Sequence, residues 1–182
     1  MSWEKELEEL KKRAELAKEM GGIERIAKHY ARGRLTVRER IDQLLDNDSF
    51  HETGEITGKV SYDDNGEIKE FVPANFVFGR GKLDGREVVV AGDDFTVRGG
   101  AADARIGNKS LYSLKLAEHL RLPLVNLVDG SGGGGSVKTL ETMGATYVPG
   151  LPSWQNIVRL LSMVPVVGAC MGSVAGLGSA RV

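Results

Sequence analysis

Leu124-Val125-Asn126-Leu127-Val128 runs straight into Asp129-Gly130-Ser131-Gly132-Gly133-Gly134-Gly135-Ser136. Five residues so apolar read as a strand buried on both faces, the habit of parallel sheets. A glycine loop at the end of such a strand lies where ligands of parallel α/β sheets bind. Glycine there lets backbone N–H groups approach a ligand with no side chain in the way. Gly130, Gly132 and Gly135 formally match the dinucleotide pattern G-x-G-x-x-G. That reading lacks its ribose carboxylate, because only Glu141 follows and it is too close. A phosphate P-loop fails as well, since Lys138-Thr139 is displaced from the required glycine. A bare loop with no ligand is the remaining alternative.

The same grammar recurs downstream. Val164 to Ala169 reads as a second buried strand and enters the small-residue run Gly168-Ala169-Cys170-Met171-Gly172-Ser173-Val174-Ala175-Gly176-Leu177-Gly178. A strand-to-helix turn of small residues presents free N–H groups to an enolate or another oxyanion. Close helix–strand packing favours the same residues, and the residues alone leave both open. Two clusters ending successive strands point to one shared site between them.

Upstream, a long helix is expected over Ala101 to Leu120, and a further helix near Pro152 to Met163. Ile56 to Tyr62, Phe76 to Lys82 and Glu87 to Ala91 read as strands, punctuated by the turns Asp63-Asp64-Asn65-Gly66 and Leu83-Asp84-Gly85. The order from Val88 onward is strand, helix, strand, loop, helix, strand, turn: an α/β chain with mostly parallel pairing. Residues Trp3 to Arg34 read as two amphipathic packing helices broken at Gly21-Gly22. Thr36-Val37-Arg38-Glu39 is a capping box that opens a short helix through Ile41, Leu44 and Leu45.

Composition narrows the function classes. A formal net charge of −1 offers no general attraction to nucleic acid or an anionic membrane. The 24 glycines exceed the ~7% of average usage and concentrate in the clusters above. The single cysteine, Cys170, rules out an internal disulfide and four-cysteine zinc sites; it reads as a small core residue. His29, His51 and His119 lack metal-ligand spacing, and His119 reads as a solvated residue on a charged helix face. Asp93-Asp94 suits a turn before Phe95 better than a cation site. No nucleophile triad or carboxylate pair stands out, so no metal and no acid/base side chain is expected. With no signal-like apolar start and no membrane span, the expected location is cytoplasmic.

Four segments in order then become recognisable. Gly33-Arg34-Leu35-Thr36-Val37-Arg38-Glu39-Arg40-Ile41, with Leu44-Leu45-Asp46 and Ser49-Phe50, resembles the opening signature of biotin-dependent carboxyltransferase β subunits of the propionyl-CoA and methylcrotonyl-CoA carboxylase type. Asp94-Phe95-Thr96-Val97, with Gly99-Gly100, resembles a second family segment. Asp129 to Gly133 is similar to the family's Asp-Ser-Gly-Gly loop, and Gly168, Cys170 and Gly172 to its Gly-x-Cys-x-Gly-Gly turn.

The resemblance implies a crotonase-like (ClpP/crotonase) spiral of ββα units. It implies a helical arm over residues 1–46 and the N-terminal carboxyltransferase domain over residues 47–182, cut short at its C-terminus. It further implies a backbone oxyanion hole from the N–H groups of Gly172 and Ser173, with Gly132 or Gly133, and a CoA contact at Gly99 and Gly100. The substrate would be a CoA thioester and the carboxyl donor carboxybiotin on a carrier protein. Implied partners are biotin carboxylase, the biotin carboxyl carrier, a C-terminal carboxyltransferase domain and further copies in a homo-oligomer. The alternatives are the carboxyltransferase subunit of a biotin-dependent decarboxylase, and a non-catalytic interaction module docking through its N-terminal helices. Three departures stand out: an extra loop residue with no Ala-Arg after Gly-Gly, Ser173 in place of a glycine, and the absent C-domain.

Overall fold

The computed structural model describes residues 2–101, 106–130, 137–146 and 153–182. Three helices open the chain: α1 (Glu4–Lys18), α2 (Ile23–Tyr30) and α3 (Val37–Leu44). Strands β1 (His51–Glu52), β2 (Gly58–Tyr62), β3 (Ile68–Pro73), β4 (Phe76–Leu83) and β5 (Arg86–Asp93) follow. Then come α4 (Lys109–Leu120), β6 (Leu124–Val128), α5 (Val137–Met143), α6 (Trp154–Leu161) and β7 (Val166–Cys170). Arg98–Gly100 and Gly176–Arg181 form short 3-10 turns.

The main sheet has the order β1-β4-β5-β6-β7. β1, β4 and β5 pair antiparallel, whereas β5, β6 and β7 are parallel, with α4 and α6 in the crossovers. β4, β5 and α4 thus make one ββα unit. β2 and β3 form a separate antiparallel hairpin.

Strand alternation divides the core into two layers. Phe76, Phe78, Val89, Ala91 and Leu124 face Leu114 and Ala117 of α4 and Leu160 of α6. Val77, Val88, Val90 and Leu127 point the other way, against Val37 and Ile41 of α3. Each of the buried Val, Leu, Ile and Phe side chains contributes roughly 1.5–3 kcal/mol. The capping box sets where α3 begins: the Thr36 hydroxyl accepts from Glu39 N–H at 3.3 Å, and the Glu39 carboxylate accepts from Thr36 N–H at 2.8 Å. α1 lies against the hairpin, where Tyr62 donates to Glu9 at 2.7 Å and Arg13 bonds the Tyr62 hydroxyl. The break at Gly21 docks on the loop after β5, its N–H donating to Thr96 Oγ1 at 2.9 Å.

The parallel α/β expectation holds, but several boundaries move. α4 begins only at Lys109, because Gly107 takes a left-handed φ of 66° just before it. The first part of the expected helix, residues 102–105, lies outside the described residues. β3 and α5 escaped the sequence reading. The strand expected at Val164 to Ala169 forms at Val166–Cys170 and is only half covered, with Val167 55% exposed. β7 is last in the sheet order, so no described strand covers its outer edge. Cys170 is correspondingly an exposed thiol, not a core residue. His119 is exposed on α4, as expected. Among the described residues, no helix is long and apolar enough to cross a membrane.

Candidate functional site

Parallel pairing brings the ends of β5, β6 and β7 side by side, and the small residues after each strand meet there. Gly100, at φ 61°, lies so close to the end of β6 that a Cβ would come within 2.6 Å of the Asp129 carbonyl oxygen. Gly172 follows β7 in the same cluster, and a Cβ on it would overlap the Asp129 carboxylate. Both positions therefore need glycine for want of space, not only for flexibility. Asn75 at the start of β4 fixes the neighbouring loop by donating from Nδ2 to Ala101 O at 2.9 Å.

Asp129 is the hub of this junction and is fully buried. Its Oδ2 pairs with Arg40 Nη1 at 2.7 Å, and that guanidinium also lies 3.5 Å from Met171 O. α3 is thereby tied to the ends of both β6 and β7. Asp129 Oδ1 has no hydrogen bond among the described residues, and Arg34 Nη1 stands 3.9 Å from it. Asp93, at the end of β5, accepts the Asp129 N–H at 3.1 Å and pairs with Arg181 at 2.5 Å. That last pair folds the Gly176–Arg181 turn back over the strand ends. Asp94 makes the turn expected of it: its Oδ1 accepts from Thr96 N–H at 2.9 Å and from the Thr96 hydroxyl at 2.5 Å. Burial pushes the Asp94 carboxyl above its ordinary range, with the Thr96 bonds opposing.

Around this hub the sequence-predicted residues separate into two groups. Gly99, Gly100, Gly172 and Ser173 are described, whereas Gly132 and Gly133 lie outside the described residues. Met171 N–H is spent on Val128 O at 2.9 Å, but the N–H groups of Gly172 and Ser173 have no acceptor among the described residues. The Ser173 side chain points to an exposed position. Two adjacent, uncommitted N–H groups at a strand end can receive an oxyanion. Aspartate and arginine side chains nearby are committed to one another and serve to place the turn.

Sequence reasoning missed Arg34, Arg40, Asp93 and Arg181 as partners. Arg34 and Arg40 stood in the quoted opening signature, yet nothing local to them says which carboxylate they meet. A larger cavity of about 930 Å³ runs along α4 past Tyr112, Leu116 and Arg121. Arg121 leads into the start of β6, so this cavity extends towards the wrong end of the parallel strands for the glycine site.

The carboxyl transferase domain model matches residues 28–179. The chain is 29% identical, over 97% of its length, to the propionyl-CoA carboxylase carboxyltransferase subunit of Haloferax mediterranei, of which it covers 33%. It is 30% identical over 94% of its length to the methylmalonyl-CoA decarboxylase subunit alpha of Propionigenium modestum, covering 32% of that protein. In three dimensions it resembles transcarboxylase 12S, a hexamer solved with hydrolysed methylmalonyl-CoA bound, with a TM-score of 0.73 and 28% identity. All of the chain aligns there, on 35% of the solved one. The chain spans about a third of the length of the curated relatives it matches. Its fold is the crotonase-like carboxyltransferase fold implied by the ordered motifs, seen here in its N-terminal part. With its strand-end glycines, its buried Arg40–Asp129 pair and a match across residues 28–179, the chain belongs to the carboxyl transferase domain family.

Proposed function

We propose that this chain is the acyl-CoA-binding part of a carboxyltransferase that moves a carboxyl group from carboxybiotin to the α-carbon of an acyl-CoA. The observation that carries the reading is the Gly172–Ser173 turn, whose N–H groups have no acceptor among the described residues and which is wedged against the buried Asp129 carboxylate. Gly172 and Ser173 N–H, joined by Gly132 or Gly133, would hold the thioester oxygen as it becomes an enolate. Donors that bind the enolate more tightly than the ground-state carbonyl lower the barrier to α-proton removal. Arg40 and Asp129 keep the turn in place, and Gly99 and Gly100 border the path of the CoA arm.

Carboxybiotin on a partner carrier protein would supply the carboxyl group and, once carbon dioxide has left, the base. The exposed side of Ser173 leaves room for such a group to approach. The helical arm over residues 1–46 and the carboxyltransferase domain over residues 47–182 remain part of this proposal. So do biotin carboxylase, the biotin carboxyl carrier, a C-terminal carboxyltransferase domain, further copies of the chain as partners, and a cytoplasmic location.

The test is biotin-dependent carboxyl exchange on propionyl-CoA, with the chain extended to the full length of its relatives. Exchange is expected there and absent from the 182-residue chain alone. Gly172→Val in the extended protein should abolish exchange. A folded extended protein without exchange would sink the reading, and unchanged exchange in Gly172→Val would favour the non-catalytic module. The 30% identity to a decarboxylase subunit supports a second direction, carboxyl removal from a malonyl-type thioester. Co-purifying membrane-bound partner subunits would favour that direction.

A further inference from the structure

Arg34 reaches the strand-end junction from the turn that closes α2. Gly33 takes a left-handed φ of 68°, its N–H donates to Tyr30 O at 2.8 Å, and the Arg34 N–H donates to His29 O at 3.2 Å. This pair of bonds is a Schellman ending, which stops the helix and turns the chain so that Arg34 faces Asp129. The Arg34 guanidinium lies over Phe95, 5.9 Å from the ring centre, and Phe95 in turn stacks on the buried His29.

One carboxylate thus faces two guanidiniums. Arg40 closes a hydrogen bond on Asp129 Oδ2 at 2.7 Å, whereas Arg34 Nη1 stops 3.9 Å from Oδ1, beyond hydrogen-bond reach. Oδ1 is buried and has no hydrogen bond among the described residues. An arginine that served stability alone would close on that oxygen, because a buried acceptor without a donor is costly. The neighbouring Asp93 charge is answered by Arg181 at 2.5 Å. Arg34, Arg40 and Asp129 therefore carry one unneutralised positive charge between them.

That charge lies against the back of the turn. A Cβ on Gly172 would overlap the Asp129 carboxylate and come within 3.1 Å of Arg34 Nη1. The bare face of Gly172 rests on both groups, while its N–H and that of Ser173 have no acceptor among the described residues. A fixed positive charge beside two such donors favours an anionic oxygen over a neutral carbonyl.

We infer that Arg34 is a positioning residue for this turn: acting through Asp129, it keeps the cluster one positive charge in excess and so tunes the Gly172 and Ser173 donors for an enolate oxygen. This rests on the acyl-CoA reading above. Arg40 holds the turn in place, and Arg34 sets its charge.

The experiment uses the chain extended to the full length of its relatives, as native protein and as Arg34→Gln and Arg34→Lys, with folding compared by circular dichroism and thermal melts. Two ligands are titrated. Propionyl-CoA presents a neutral thioester oxygen, and S-(2-nitroethyl)-CoA ionises to a nitronate that mimics the enolate and has its own absorbance. Propionyl-CoA should bind all three proteins within about twofold. At one fixed pH, the ratio of nitronate to neutral analogue on the protein should fall about tenfold in Arg34→Gln and recover in Arg34→Lys. Carboxyl exchange should follow, with kcat falling in Arg34→Gln while KM for propionyl-CoA stays. An equal nitronate ratio in native protein and Arg34→Gln, with propionyl-CoA bound by both, overturns the role of Arg34 and leaves the acyl-CoA reading standing. Equal weakening of both ligands with a lower melting temperature and no recovery in Arg34→Lys makes Arg34 a merely structural residue and overturns it too. A folded native protein that binds neither ligand overturns the acyl-CoA reading, and this inference with it.

Discussion

Asp129 shows how much a single buried side chain holds here. Its pairing with Arg40 is 5% and 0% exposed on the two sides, so solvent screens little of it. Removing one partner leaves the other charge buried and uncompensated, which typically costs ~3–5 kcal/mol. Asp129→Asn should therefore lower unfolding stability by about that much in urea titration, and Arg40→Leu/Asp129→Leu should recover a large part of it. Asp94 carries a different signature. Burial raises its carboxyl pKa in the fold, so the protonated form is the one folding favours. Its contribution is fully present below the ordinary carboxylate range and is lost as pH rises through the raised folded value. Asp94→Asn keeps the oxygen that accepts from Thr96 and removes the titration. The variant should gain stability on the native protein at neutral pH, and the gap should close on acidification, as followed by thermal melts across pH. Of these residues, Asp129 follows directly on an apolar run, whereas Gly172 was named through the resemblance of its turn to a family motif. Arg40 could not be assigned its role, because its partner lies 89 residues away.

At the scale of elements, α3 is where local sequence and tertiary packing agree most closely. The capping box read from Thr36 and Glu39 is present on both of its arms. Those bonds hold the Glu39 carboxyl below its ordinary range, led by the Thr36 hydroxyl. A depressed folded pKa adds stability above the ordinary value and loses it as pH falls through the folded one. Thr36→Ala should cost about 1 kcal/mol near neutral pH and less in acid, measurable by urea titration at both pH values. α4 and β7 were less legible. The helical pattern before Lys109 is overridden by the left-handed turn at Gly107. The apolar character of Val164 to Ala169 says that a strand forms, but not that it lies at the sheet edge.

For the whole molecule, two features of the described surface favour association. β7 offers an outer edge without a described partner, and Trp154, Val158 and Leu161 of α6 are each about half exposed. An open strand edge and exposed apolar side chains each invite association. Sedimentation of the isolated chain should show association that grows with concentration, and Val167→Lys on β7 should reduce it without changing the circular dichroism. Monomeric behaviour of the native chain at all concentrations would contradict this. The sequence by itself determined the α/β order, the capped α3 and the small-residue turn after β7. Each of these depends on neighbours within a few residues, where periodicity and turn chemistry act. Only the tertiary structure decided that Gly100 and Gly172 close on one aspartate, Gly100 on its backbone carbonyl and Gly172 on its carboxylate, and that Arg40 answers that carboxylate. Those pairings follow from parallel strand register and from where the crossovers return the chain, which bring residues of distant segments to a common strand end.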